Sequence, residues 1–324
     1  MPHAIRFHKT GGPEVLQWDE TQVGEPGPGE ARVRNTAVGL NYVDTYFRSG
    51  LYPTPLPSGL GAEGAGVVEA IGSGVADIKV GDRVAYGVGP LGAYSEARVM
   101  PADRLVVLPE GVSDNQAAAM MLKGMTTQYL IRQIYKVGAG DTILIHAAAG
   151  GVGLILCQWA KALGATVIGT VGSEAKAELA HAHGCDHPIV TTREDFVARV
   201  NELTQGAKVP VVYDSVGKDT FMKSLDCLRP RGMMVSFGQS SGPIGLVDLG
   251  IFVQKGSLFF TRPSLFAYAN KHAEMIAMTR DLFDAVLSGK VKIQINQTYP
   301  LKDAAQAHRD LEGRKTTGST VLTV

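Results

Sequence analysis

The sequence predicts an α/β protein that combines a β-rich domain with a domain built on a doubly wound parallel sheet. From Ala4 to about Gly124, short β-rich runs alternate with turns rich in glycine and proline. Between Asp141 and Lys176, a strand, a glycine turn, an apolar helix and a second strand follow one another. Strands and helices then keep alternating to about Phe260, which is typical of a parallel sheet with crossover helices.

The β-rich part begins with strand-like runs that include Ala31–Leu40, Gly66–Ala70 and Arg83–Ala85. A predicted helix, Ala117–Lys136, then carries the chain into the second domain. The candidate strands of the parallel sheet are Thr142–His146, Thr166–Thr170, His187–Val190, Val209–Asp214, Met233–Phe237 and Leu258–Thr261.

After Arg262 the pattern changes to a helix, Lys271–Ser288, and to short β-runs around Ile293–Tyr299 and Val321–Val324. This order indicates that the sheet domain is inserted near the end of the β-rich domain. We therefore expect residues 1–124 and 263–324 to form one domain and residues 125–262 to form the other.

The glycine turn before the predicted helix Val152–Leu163 is expected to bind phosphate. Its six positions, Ala148 to Gly153, follow the dinucleotide fingerprint G-x-G-x-x-G except that Ala148 replaces the first glycine. Gly150 allows the backbone to approach a pyrophosphate, Gly151 and Val152 open the helix, and Gly153 allows close packing of helix on strand. The alternative is a turn that serves packing alone.

The end of the second strand favours NADPH over NADH. NAD-binding units carry an acidic residue there that binds the ribose 2′-hydroxyl, whereas Gly169–Ser173 contains no carboxylate and Lys176 follows. Small neutral residues with a nearby cation suit a 2′-phosphate. Glu174 weakens this interpretation, and the alternative for Lys176 is an ordinary surface lysine.

Composition narrows the class of protein. Lys plus Arg and Asp plus Glu number 31 each in a chain of 324 residues, so no net field attracts nucleic acid or an anionic membrane. We expect a cytoplasmic protein, because there is no apolar signal core and no membrane-length apolar stretch. The three cysteines and the histidines at 181, 183 and 187 lack the spacing of a metal site.

Several longer motifs identify a family. The chain resembles, over its whole length, the medium-chain dehydrogenase/reductase superfamily, and within it the zinc-free quinone oxidoreductases that are similar to ζ-crystallin. The motifs that carry the resemblance are Gly39–Pro53, Gly59–Val75, Gly81–Tyr86, His146–Gly153, Val211–Gly217 and Leu301–Gly318. The resemblance implies a GroES-like β-rich catalytic domain and a Rossmann domain that binds NADPH.

Departures from the zinc-containing members of the superfamily are equally informative. Those enzymes carry a catalytic cysteine where this chain has Asn41, and a G-H-E motif where it has Gly61-Ala62-Glu63. Their four-cysteine lobe is replaced by a short glycine-rich link, Gly87–Gly92. The resemblance therefore implies no metal. A quinone has little need of a Lewis acid, because it accepts electrons readily.

The resemblance also implies a set of site residues. The catalytic candidates are Asn41 as a donor to a quinone oxygen, Tyr46 and Tyr52 as walls of a flat slot, and Thr127. The implied cofactor contacts are Asn41, Tyr42, Asp44, Tyr46, Tyr129, Gly150, Gly151, Val152, Gly172, Ser173, Lys176, Thr191, Ser215, Phe237, Gly238, Gln239, Ser240, Pro263, Ser264, Leu265 and Arg314. Relatives commonly have a tyrosine over the adenine where this chain has Thr191, so we expect a more open adenine site.

Without the resemblance, Asn41 and Asp44 would be ordinary turn residues and the tyrosines ordinary half-buried aromatics. With it, we expect an NADPH-dependent quinone reductase that needs no zinc, and the family includes members that pass electrons through a semiquinone. The alternatives are an NADPH-dependent enone or alkenal reductase and a non-catalytic, crystallin-like or RNA-binding role. Relatives often form homodimers through the sixth Rossmann strand, here Ser257–Pro263.

Overall fold

The structure is a computed structural model that describes residues 1–324, and it contains two compact units. The first unit comprises Met1–Met125, Tyr268–Leu287 and Ile293–Val324, and the second comprises Thr126–Ala267 and Ser288–Lys292. The predicted domain boundaries lie close to these limits, and they stay a prediction.

The N-terminal part of the first unit is rich in strands, as expected. In chain order its elements are β1 (His3–Phe7), β2 (Gln17–Glu20), β3 (Glu30–Leu40), α1 (Tyr42–Ser49), β4 (Ser58–Gly59), β5 (Glu63–Ile71), β6 (Arg83–Tyr86), β7 (Ala97–Pro101), β8 (Val106–Val107) and α2 (Asp114–Tyr129). A five-residue π-helix, Leu130–Ile134, continues α2, so the α-helix itself ends earlier than the predicted Lys136.

The second unit contains the six predicted strands. Its elements are β9 (Thr142–Ile145), α3 (Gly151–Ala162), β10 (Thr166–Val171), α4 (Glu174–Ala182), β11 (His187–Val190), α5 (Phe196–Leu203), β12 (Val209–Asp214), α6 (Phe221–Asp226), β13 (Leu228–Ser236), α7 (Gly250–Gln254), β14 (Phe259–Thr261) and α8 (Leu265–Tyr268). The remaining elements of the chain are α9 (His272–Leu287), β15 (Ile295–Pro300), α10 (Ala304–Glu312) and β16 (Ser319–Thr323).

The sheet of the second unit is parallel throughout and has the order β11-β10-β9-β12-β13-β14. Numbered within the unit, this is 3-2-1-4-5-6, the strand order of the Rossmann fold. All six residues of β12 are buried, as expected for a strand covered on both faces. The predicted doubly wound sheet is therefore confirmed.

The first unit has a larger sheet in the order β15-β16-β3-β5-β6-β8, with β7 also paired to β3, and a small sheet in the order β2-β1-β4. Its core includes Phe7, Tyr86, Tyr94 and Leu322. This is the GroES-like arrangement that the resemblance implied, and it is confirmed. No helix combines the length and apolar character that a membrane span requires.

The structure differs from the sequence-based expectation at α1. The turn propensity of Asn41 and Asp44 favours a turn after Asn41, whereas the structure shows helix α1 there, which begins with a capping box between these two residues. Gly50 ends the helix with φ of 84°, a left-handed conformation that glycine adopts at little cost. Asn and Asp favour both turns and helix N-termini, which explains the error.

Candidate functional site

The glycine turn of the second unit leaves the start of α3 open. Gly150 is the N-cap residue, has an extended backbone and provides no side-chain cap. The first N–H groups of a helix lack partners within the helix, so they can bind an anion. A Cβ atom at Gly153 would lie 2.4 Å from the carbonyl oxygen of Ala147, so this position requires glycine.

Ala148 occupies the place of the first fingerprint glycine without preventing the turn. Its side chain is fully buried, and its N–H donates to the Thr170 carbonyl at 3.0 Å. The preceding residue, Ala147, adopts the left-handed conformation with φ of 56°. The tight turn is therefore kept, and Ala147 carries the backbone strain.

The end of β10 contains the residues predicted to hold the adenosine ribose. A Cβ atom at Gly172 would meet nothing within 4 Å, so space is open there. Ser173 caps α4, because its Oγ accepts from the Lys176 N–H at 3.4 Å. Thr191 donates its hydroxyl to the Val171 carbonyl at 3.2 Å, which keeps it beside the strand end.

Arg193 is a cation at this strand end that the sequence did not point out. Its guanidinium forms an exposed ion pair with Glu174, the carboxylate that argued against a 2′-phosphate. Because Glu174 is paired, its charge is balanced locally. No sequence pattern links the two residues, since Glu174 begins α4 and Arg193 lies in the turn after β11.

The loops after the last strands lie at the same edge of the sheet. A Cβ atom at Gly238 would lie 2.6 Å from the Ser215 carbonyl oxygen, so the two loops touch there. The Ser240 N–H also donates to that carbonyl at 3.1 Å. The predicted residues Ser215, Phe237, Gly238, Gln239, Ser240, Pro263, Ser264 and Leu265 all follow β12, β13 or β14. Carboxyl ends of parallel strands are where ligands bind in such sheets.

In the first unit, Asn41 is almost fully buried and is fixed by several hydrogen bonds. Its backbone N–H donates to Asp44 Oδ2 at 2.8 Å, and its side-chain Nδ2 donates to Glu63 Oε2 at 2.7 Å. Glu63 also accepts from Lys123 Nζ at 2.9 Å and from the Leu122 N–H at 2.8 Å. A buried ion pair therefore lies beneath Asn41.

Asp44 lies in the interior, with no exposed surface. Its Oδ2 accepts from the Tyr94 hydroxyl at 2.8 Å, and its Oδ1 has no partner within the protein. Burial raises the pKa of Asp44 to about 7, against the opposing effect of its hydrogen bonds from Asn41 and Tyr94. Asp44 therefore holds the Asn41 backbone in place through the hydrogen bond that it accepts from the Asn41 N–H.

Tyrosine rings of α1 and of the segment that follows it form a cluster. The ring of Tyr46 lies 5.6 Å from that of Tyr42 and 5.2 Å from that of Tyr52, both at 61° between ring planes. Tyr42 and Tyr52 are partly exposed, whereas Tyr46 is buried. Burial and the Glu312 charge raise the pKa of Tyr42, and the charges of Arg314 and Arg48 lower it.

The other predicted residues lie deeper. Thr127 and Tyr129, both on α2, are buried, and Thr127 has no exposed surface. His146 is held by Thr170 and Ser224, each at 2.8 Å, as a buried histidine without a carboxylate in contact. No group of three or more His, Cys, Asp or Glu side chains is placed to hold a metal ion.

The comparisons with known proteins agree with this architecture. Residues 27–110 match the family described as alcohol dehydrogenase GroES-like domain, and residues 151–281 match the family described as zinc-binding dehydrogenase. A quinone oxidoreductase of Pseudomonas aeruginosa is 59% identical over 99% of each chain. A 2-haloacrylate reductase of a Burkholderia species is 50% identical over 99% of each chain.

The solved structures give the same result. The crystal structure of Escherichia coli quinone oxidoreductase complexed with NADPH has a TM-score of 0.98 at 53% identity, and the match covers 99% of this chain and 100% of that one. Identity at this level over nearly the full length of both chains shows common family membership. The chain therefore belongs to the medium-chain dehydrogenase/reductase superfamily, in its quinone oxidoreductase branch.

Proposed function

We propose that this protein reduces quinones with NADPH and uses no zinc. The observation that carries this proposal is the match, over nearly the whole chain, to the E. coli quinone oxidoreductase whose structure contains NADPH. A quinone is reduced to a hydroquinone when it gains two electrons and two protons. NADPH supplies a hydride, which carries both electrons and one proton, and the second proton is taken up from solvent. The protein supplies orientation and a site that shields the hydride transfer from water.

The residues at the sheet edge of the second unit fit NADPH. The uncapped start of α3 suits the pyrophosphate, and the open space at Gly172 leaves room for the ribose. Lys176 is proposed to bind the 2′-phosphate. Pairing of Glu174 with Arg193 supports this, because an unpaired carboxylate would repel the phosphate.

The residues of α1 are proposed to serve the electron acceptor. One Nδ2–H bond of Asn41 is used by Glu63, so the second is the donor that we assign to a quinone oxygen. Tyr42, Tyr46 and Tyr52 offer aromatic faces and edges that suit a flat ring.

The test is NADPH and NADH oxidation measured with 1,4-benzoquinone, with larger quinones and with a series of enones. Turnover that requires a quinone and prefers NADPH supports the proposal. Binding of NADPH without turnover of any acceptor would contradict it and would leave a binding protein on a dehydrogenase fold.

Replacing Lys176 with alanine is expected to reduce the preference for NADPH over NADH by about 10–100-fold, because a charge-assisted bond to phosphate contributes roughly 1.5–3 kcal/mol. The measurement is kcat/KM with each cofactor. Lys223→Ala is the control, since Lys223 lies in the same unit and pairs with Asp195. An unchanged preference in Lys176→Ala would refute the assigned 2′-phosphate contact.

A second candidate activity is reduction of an activated carbon–carbon double bond. The relative named 2-haloacrylate reductase, 50% identical to this chain, favours this possibility. With such a substrate the hydride adds to a carbon of the double bond, and no quinone accepts it. Turnover of enones or haloacrylates that exceeds quinone turnover would establish this activity as the main one.

We also propose that the protein is a cytoplasmic homodimer that pairs through β14. This strand is at the edge of its sheet, and Phe259 on it is 58% exposed. An apolar, unpaired edge strand invites pairing with another chain. The three cysteines are all free, which fits a reducing compartment.

Phe259→Lys is expected to convert the dimer to a monomer, because a lysine on an edge strand opposes pairing. Sedimentation velocity would show a change from twice the chain mass of 34.3 kDa to that mass. Val107→Lys is the matched control, because Val107 is 44% exposed on β8, the edge of the other large sheet. A Phe259→Lys protein that stays dimeric would exclude β14 as the interface.

A further inference from the structure

Asn41 donates hydrogen bonds to two buried carboxyl groups, of which only one has a cationic partner. Its side chain donates to Glu63, and its backbone N–H donates to Asp44. The charge of Glu63 is matched by Lys123 at 2.9 Å. Asp44 has no exposed surface, forms no ion pair and has one oxygen without a partner. The groups that contact the Asp44 carboxylate and stabilise its charge are therefore neutral hydrogen-bond donors.

A chain of hydrogen bonds reaches Asp44 from α10. Arg48 NH1 lies 2.9 Å from His308 Nδ1, and His308 Nε2 lies 3.2 Å from the Tyr94 hydroxyl. Because arginine can only donate, Nδ1 must accept and Nε2 must carry the proton. Nε2–H then donates to Tyr94, and the Tyr94 hydroxyl donates to Asp44 at 2.8 Å. The direction of every bond in the chain is thus fixed.

Arg48, at the end of this hydrogen-bond chain that lies farthest from Asp44, is also held by several hydrogen bonds. Arg48 is 2% exposed, and its two terminal nitrogens donate to the two oxygens of Glu312 at 2.7 and 2.9 Å. Its Nε donates to the Gly11 carbonyl at 3.1 Å. The bidentate pair leaves Arg48 little freedom to turn away from His308.

We propose that Asp44 is a positioning residue for Asn41, and that Tyr94, His308 and Arg48 keep it able to hold Asn41 by stabilising its ionised form. A carboxylate accepts shorter and stronger hydrogen bonds than a neutral carboxyl group does. Ionisation therefore tightens the bond from the Asn41 N–H and strengthens the start of α1. The link to catalysis rests on the proposed function, which gives Asn41 the quinone oxygen.

The titration of Asp44 is expected within the working pH range. Burial raises its pKa to about 7; Asn41, Tyr94 and Lys123 oppose this rise, and Glu63 adds to it. Burial and the Arg48 charge lower the pKa of His308 to about 3, so the histidine stays neutral and keeps its tautomer. Among the side chains of this hydrogen-bond chain, Asp44 is accordingly the one that changes charge near neutral pH.

The test compares Tyr94→Phe with Tyr86→Phe. Both tyrosines are fully buried. The Tyr86 hydroxyl donates to Asn35 at 2.8 Å and takes no part in the hydrogen bonds that link Arg48 to Asp44. The first readout is the NMR chemical shift of the Asn41 backbone N–H between about pH 5 and about pH 9, followed without substrate. The second is kcat/KM for 1,4-benzoquinone over the same range.

In the wild type we expect the Asn41 signal and kcat/KM to change with the same midpoint, and kcat/KM to rise with pH. Tyr94→Phe is expected to move both midpoints upward by about one pH unit, because the carboxylate loses a donor. Tyr86→Phe should leave both midpoints in place, and Asp44→Asn should abolish both transitions.

The two readouts separate failure of this inference from failure of the proposed function. An Asn41 signal that does not titrate, or that titrates identically in Tyr94→Phe, would overturn the inference even if quinones are reduced. A titrating signal with a kcat/KM midpoint that does not follow it would overturn the link to catalysis. Absence of quinone turnover in the wild type would refute the function, and the Asn41 signal alone would then decide the positioning role.

Discussion

Replacing Lys123 with methionine is expected to lower the free energy of unfolding by about 3–5 kcal/mol, because it leaves a buried carboxylate without its cation. Glu63 has no exposed surface, and Lys123 Nζ is its ion-pair partner at 2.9 Å. Methionine keeps the length of the side chain and removes the charge. Urea unfolding of the wild type and of Lys123→Met measures the loss.

Lys161→Met provides the comparison. Lys161 also pairs with a carboxylate, Asp186, but its side chain is 54% exposed. An exposed pair contributes about 0–1 kcal/mol, so this variant should be nearly as stable as the wild type. Adding Glu63→Gln to Lys123→Met should restore much of the loss, since position 63 then carries no charge that lacks a partner. Equal costs for the two methionine variants would refute the importance of the buried pair.

Gly153→Ala is expected to weaken NADPH binding by about 10–100-fold, the equivalent of losing roughly 1.5–3 kcal/mol of bonds to a charged group. The added Cβ atom would lie 2.4 Å from the Ala147 oxygen and 2.6 Å from the Ala148 oxygen. Both atoms belong to the backbone of the turn, so the turn must open and α3 must shift. Fluorescence titration with NADPH measures the effect.

The control for Gly153→Ala is Gly138→Ala in the same unit. A Cβ atom at Gly138 would meet no atom within 4 Å. This variant should bind NADPH as the wild type does and should melt at a similar temperature. If Gly153→Ala retains wild-type affinity, the close packing of α3 on the turn does not control cofactor binding.

The parallel sheet could be predicted because its signals are local. Each strand of the second unit is a short apolar run bounded by turn residues, and five of the six begin within one residue of the predicted start. The exception is β13, which begins at Leu228, before the predicted Met233, because Arg229, Pro230 and Arg231 interrupt its apolar run. Helix α1 was missed although Asn41 and Asp44 have capping-box spacing, since the same residues favour turns.

The polar network around Asn41 could not be predicted in the same way. Arg48 and His308 are separated by 260 positions, and Tyr94 and His308 by 214. No periodicity links residues at such distances, and each of them alone resembles an ordinary polar side chain. Family resemblance pointed to Asn41 and Asp44, but only the fold reveals which side chains support them.

Pairing of β16 with β3 determines when the first unit can fold during translation. β3 needs β16 on one side, and Arg48 needs His308 and Glu312, so these partners become available only after residues 304–323 have been made. The sheet of the second unit needs nothing beyond Thr261. The second unit can therefore complete its sheet on the ribosome before β16 of the first unit has been synthesised. This reverses the usual order, in which the N-terminal domain folds first.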